Sequence, residues 1–136
     1  MDWVCDVKGK DYAQLLTNLL GHCDSVQCIV REDVDDYFEE MKDELLEKRY
    51  VTEWPLTKLG QGAVPVVQYT FRYNFKTATF LKWMHSSLFS WQLAYPEDLS
   101  FWQGEKCLLA TCTHEQYVEI HADVENELAA FFVRKC

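Results

Sequence analysis

No stretch of this chain approaches the roughly 18 consecutive apolar residues of a membrane-spanning helix. The N-terminal segment MDWVCDVKGKDYAQ also lacks a basic region followed by an apolar one, so the expectation is a cytoplasmic protein without a signal peptide. Basic residues are few: 13 Lys and Arg stand against 22 Asp and Glu, for a net charge of −9. Nucleic acid is a poor partner for such a chain, because phosphate binding needs clustered Lys and Arg to release counterions. An anionic membrane surface is disfavoured on the same ground. Only three prolines and five glycines are present, and no low-complexity or linker stretch divides the chain. Its 136 residues are expected to form a single globular domain over 1–136.

What is present is apolar and aromatic. Hydrophobic residues make up 49% of the chain and aromatics 15%, enough for a core without staples. Six cysteines stand at Cys5, Cys23, Cys28, Cys107, Cys112 and Cys136. Without a secretory context they are expected to be reduced thiols, most of them serving as small core residues.

Periodicity orders the elements. Asp11 reads as the cap of a first helix with Gln14 at the capping-box position, apolar residues Tyr12, Leu15, Leu16, Leu19 and Leu20, and Gly21 as its end. Residues 25–31 (SVQCIVR) alternate like a strand. A second helix is expected over 33–48, with Val34, Tyr37, Phe38, Met41 and Leu45 at helical spacing and acidic residues on the other side. Residues 54–65 (WPLTKLGQGAVP) read as a long loop. The clearest strand is 66–73, with Val67, Tyr69, Phe71 and Tyr73 on one face and Gln68, Thr70 and Arg72 on the other. A helix over 76–91 follows, then strands at 99–103, 106–112 and 116–121, with Gly104-Glu105 as a tight turn, and a last helix over 123–133. A strand at 2–7 is only weakly signalled. The order α-β-α-β-α-β-β-β-α, with consecutive strands late in the chain, indicates an α+β fold: a mixed or mainly antiparallel sheet with three to four helices packed on it.

The candidate chemistry is sparse. Cys112, His114 and Glu115 are the residue types of a thiol nucleophile, its base and an orienting carboxylate, but a core cysteine beside a surface turn is the better explanation. Two C-x4-C spacings, Cys23/Cys28 and Cys107/Cys112, lie on strand-like runs rather than on the short turns that hold zinc. Gly60-Gln61-Gly62 has neither a phosphate-loop lysine nor a third glycine. Glu97 and Asp98 are site candidates for which spacing supplies no partner. No cofactor and no metal is therefore expected. Trp83 and Trp91, with Tyr73, Phe75 and Trp102, exceed the evident needs of a small core, and exposed Trp and Tyr are typical interface anchors. A Trp- and Phe-rich core is nonetheless the preferred reading, because large aromatics dominate cores as well.

The leading expectation is a protein-binding module that occludes a basic partner, as an immunity or inhibitor protein does to a toxin or nuclease. Its expected partner-binding residues are Glu32, Asp35, Asp36, Glu39, Glu40 and Asp43, whose charge steers association. Behind it stand a small thiol-dependent enzyme using Cys112 and His114, and a homo-oligomeric accessory protein.

Overall fold

The computed structural model describes residues 2–3, 7–31, 38–89 and 96–132. Its strands are β1 (Asp2–Trp3), β2 (Ser25–Val30), β3 (Leu45–Val51), β4 (Glu53–Trp54), β5 (Thr57–Lys58), β6 (Val66–Arg72), β7 (Glu97–Gln103), β8 (Lys106–Cys112) and β9 (Tyr117–Ile120). The helices are α1 (Gly9–Leu19), α2 (Phe75–Met84) and α3 (Glu125–Leu128), with 3-10 turns at Glu39–Glu44 and Ala129–Phe131. Seven strands form one sheet in the order β1-β9-β8-β7-β2-β6-β3, and every neighbouring pair is antiparallel. The α+β class read from the sequence holds. No helix among the described residues is long and apolar enough to cross a membrane.

One face of the sheet carries the main core. Tyr12, Leu15, Leu16 and Leu19 of α1, Ala78 and Leu81 of α2, and Leu128 of α3 pack there against Val26, Tyr69, Phe71, Phe101 and Leu109. Fully burying each large apolar side chain contributes roughly 1.5–3 kcal/mol, so this layer dominates stability. The opposite face is also covered in part. Residues 52–65 fold over it, with the small β4–β5 hairpin inside them, and Trp54 and Leu59 meet Ile29, Val51 and Val66 in a second apolar cluster. The alternation of β6 therefore places Val67, Tyr69 and Phe71 in the main core as expected. Gln68 is nonetheless buried too, accepting from Arg49 Nε at 3.0 Å and donating to Gln27 Oε1 at 3.2 Å.

Several boundaries differ from the sequence reading. Within the described residues, the expected second helix is a 3-10 turn over Glu39–Glu44 followed by strand β3. Its helix-spaced Met41 is buried, but Leu45 lies exposed at the sheet edge. Ladder hydrogen bonds to β6 outweigh the good helix propensity of residues 45–48, a tertiary override of a weak local preference. Residues 33–37 of that expected helix, including Val34 and Tyr37, lie outside the described residues. The cap of α1 is Lys8, and Asp11 sits instead in the first turn, where the helix dipole favours a carboxylate. Helix α2 stops at Met84 because His85 turns to extended backbone, and Trp91 lies outside the described residues. The Gly104 turn forms as expected, with a left-handed φ of 57° that glycine adopts without strain.

Candidate functional site

Two polar constellations stand out, one turned outward and one inward. The outward one is built on the Glu39–Glu44 turn. Phe38 precedes it and lodges its ring against Tyr69, Phe71 and Phe80, with centroid separations of 4.8, 4.9 and 6.2 Å. Met41 is buried beside it. These two anchors leave Glu39, Glu40, Lys42 and Asp43 in solvent, where Lys42 Nζ donates to Glu39 at 3.0 Å. Glu44 closes the turn: Asn74 Nδ2 and Arg72 Nη1 donate to its Oε2 at 2.7 and 3.1 Å, and these bonds hold its pKa below the ordinary value.

Asn74 also caps α2, its Oδ1 accepting from the Thr77 amide at 3.1 Å. One side chain thus fixes the acidic turn and the helix start together. Helix α2 buries Thr77, Ala78 and Leu81 and turns Phe75 and Trp83 outward, 75% and 77% exposed. A shallow groove lies between turn and helix, lined by Glu40, Met41, Lys76, Thr79, Phe80 and Trp83. It offers an apolar floor and an indole wall together with one carboxylate and one ammonium, those of Glu40 and Lys76. Of the six acidic residues singled out from the sequence, Glu39, Glu40 and Asp43 are exposed on this turn. Glu32, Asp35 and Asp36 lie outside the described residues.

The inward constellation centres on Glu97 and Asp98 at the start of β7, both buried, with Glu97 only 2% exposed. Arg31 pairs with Glu97 Oε1, and His114 Nε2 lies 2.9 Å from Oε2. Asp98 adopts a left-handed φ of 52°, which Asp tolerates better than most residues. It is held there by an exchange with Thr113: the Asp98 amide donates to Thr113 Oγ1 at 3.0 Å, and the Thr113 amide donates to Asp98 Oδ1 at 2.8 Å. Trp54 Nε1 donates to Asp98 Oδ2 at 2.8 Å, and the Arg31 guanidinium lies 5.5 Å from the Trp54 ring centroid. The cluster therefore straps residues 52–65 onto the sheet. Burial and the adjacent Asp98 charge raise the Glu97 pKa, while Arg31 and His114 pull it back.

The thiol constellation is taken apart by this arrangement. His114 engages Glu97, and Glu115 is exposed on the turn that follows β8. Cys112 faces Thr57, whose hydroxyl lies 3.9 Å from the sulfur, and burial with the nearby Asp98 raises the thiol pKa. Burial likewise pushes Cys23 up to about 12 and Cys107 up to about 11. Among the described residues no three His, Cys, Asp or Glu side chains converge as metal ligands. Gly60 and Gly62 bracket a plain turn in which the Ala63 amide donates to the Gly60 carbonyl at 3.1 Å. Sequence reasoning flagged Glu97 and His114 separately but missed their contact and the parts played by Arg31 and Trp54. The one available signal was a Glu-Asp pair opening a strand otherwise bound for the core.

Comparison with protein-family models, with curated proteins and with solved structures finds no match to this chain.

Proposed function

We propose that this chain is a protein-binding module that occludes a basic partner, in the manner of an immunity or inhibitor protein acting on a toxin or nuclease. The observation that carries the reading is the pairing of Trp83, 77% exposed, with Glu40 across one groove. An indole so placed costs the free protein hydrophobic exposure and is the residue type that most often anchors protein interfaces. Glu40 shares the groove with it, Glu39 and Asp43 stand exposed on the same turn, and the whole chain carries −9. That field steers a basic partner, while Trp83 and Phe75 supply the apolar area that slows its departure. Glu32, Asp35 and Asp36 are carried into the proposed partner-binding set by the sequence reading alone.

The test compares tagged wild type, Trp83→Ala and the triple variant Glu39→Lys/Glu40→Lys/Asp43→Lys in capture from the native host at low and high salt. The reading expects wild type to retain a basic protein in stoichiometric amount and release it as salt rises. Both variants should lose it while keeping wild-type circular dichroism. Retention by both variants would refute this surface. The thiol-enzyme alternative has less support, because the thiol it would activate has a raised pKa and its base is committed to Glu97.

A further inference from the structure

The outermost strand of the sheet, β3, pairs with β6 on one side, and among the described residues no strand lies on its other side. Residues 45–50 are all exposed along it, including Leu46 at 52% and Tyr50 at 67%. An open edge of this length is a template for another strand, and proteins commonly blunt it with charge. Here the charges are Glu47, Lys48 and Arg49, and their order carries information.

We infer that β3 is a homodimerisation edge, pairing antiparallel with β3 of a second copy about a two-fold axis beside Lys48. In that register Glu47 stands opposite Arg49 of the second copy, and Arg49 opposite its Glu47. Directly opposed residues of an antiparallel pair share a face, so both cross-strand pairs form on the same side. That side is the outer one, since Glu47 and Arg49 oppose Thr70 and Gln68 across β6. Glu47 and Arg49 already lie 3.2 Å apart within one chain, so two copies would close a four-charge ring. Leu46, the extra residue of the bulge between Leu45 and Glu47, falls level with Tyr50 of the second copy at each end, covering the two most exposed apolar side chains of the edge.

The like-charged contact at the axis is Lys48 with its own copy. Lys48 Nζ is drawn back over its own sheet, 5.3 Å from the Tyr69 ring centroid on the helix-bearing face, away from the pairing line. Against most foreign strands the Glu-Lys-Arg run repels or goes unpaired, whereas against itself it matches in this one register. The same three charges thus exclude other strands and admit a second copy. An interface of one strand pair is small, so the dimer is a weak, concentration-dependent one.

Sedimentation equilibrium of the full chain from micromolar to about 1 mM tests this. The expected result is a reversible monomer–dimer equilibrium weakened by salt. Arg49→Glu sets two carboxylates against each other at both pairs and should raise the dissociation constant at least about tenfold. The double variant Glu47→Arg/Arg49→Glu restores opposite charges in the same register and should recover most of the affinity. Both variants lose the bond from Arg49 to Gln68, and the 47/49 pair within each chain acts on monomer and dimer alike, so the difference between their dissociation constants reports the cross-strand pairs. Tyr50→Ser, which leaves those charges in place, should also weaken the dimer. A monomer throughout the range would overturn the inference. So would a dimer indifferent to Arg49→Glu and Tyr50→Ser, since it would use another face.

Discussion

A carboxylate as enclosed as Glu97 keeps its charge only at the expense of its surroundings. Arg31 and His114 both serve it, so Glu97→Ala should strand a half-buried guanidinium and destabilise the fold by about 3 kcal/mol, read by urea denaturation. The pH dependence has a definite sign. Burial and Asp98 lift the Glu97 pKa above its ordinary 4.5. Between 4.5 and the raised value the unfolded chain has already released this proton while the folded chain still holds it. Stability contributed by this group is therefore present below that window and falls as pH rises through it. Glu97→Gln removes this dependence, so denaturation at successive pH should show wild type losing ground to the variant as pH rises. A gap that moves the other way would contradict the assigned cause. Trp54→Phe keeps a ring beneath Arg31 but deletes the donor to buried Asp98, a loss of about 1–2 kcal/mol. It should also speed hydrogen exchange at the Leu59 amide, which donates to the Thr52 carbonyl inside the strapped segment. At Cys112 the raised pKa predicts alkylation at neutral pH slower than that of a free cysteine, located by peptide mass. Faster labelling would revive the thiol-enzyme alternative.

The elements differ in how far their residues announced them. Residues 25–31 and 66–73 alternate because Val26, Cys28 and Val30 of β2 and Val67, Tyr69 and Phe71 of β6 face the main core, even though Ile29, Val66 and Gln68 are buried on the opposite face. Strand β3 carries no such record: at the sheet edge residues 45–50 are exposed on both faces, and its Leu, Glu and Lys are good helix formers. The carboxylate cluster was illegible for a different reason. Arg31 and Glu97 are 66 residues apart, and only the antiparallel pairing of β2 with β7 brings them together. Local spacing could show that each was a polar residue next to a strand, not that they shared one strand end. Asn74 joins the turn and α2, so Asn74→Ala should cost about 1–2 kcal/mol through the lost cap and the freed Glu44. Its effect should reach beyond the helix, loosening amide protection in the Glu39–Glu44 turn as well as in the first turn of α2. Protection lost in α2 alone would show that the two elements are not coupled.

At the scale of the whole molecule, charge and architecture divide the work. The antiparallel sheet carries the acidic turn beside α2, with the groove between them and Trp83 in its wall. Net charge of −9 supplies a long-range field whose effect on association fades as salt shortens the Debye length. The excess of aromatics was legible from composition, but its division between core and surface was not. Tyr73 and Phe101 meet edge-on inside, while Trp83 and Phe75 stand outside on α2. The most direct test of the binding surface is the parallel capture experiment with wild type, Trp83→Ala and the triple Lys variant. A basic protein held by wild type, shed by salt and missed by both folded variants is the result this account predicts. Equal capture by all three, or no basic protein retained by wild type at low salt, would contradict it.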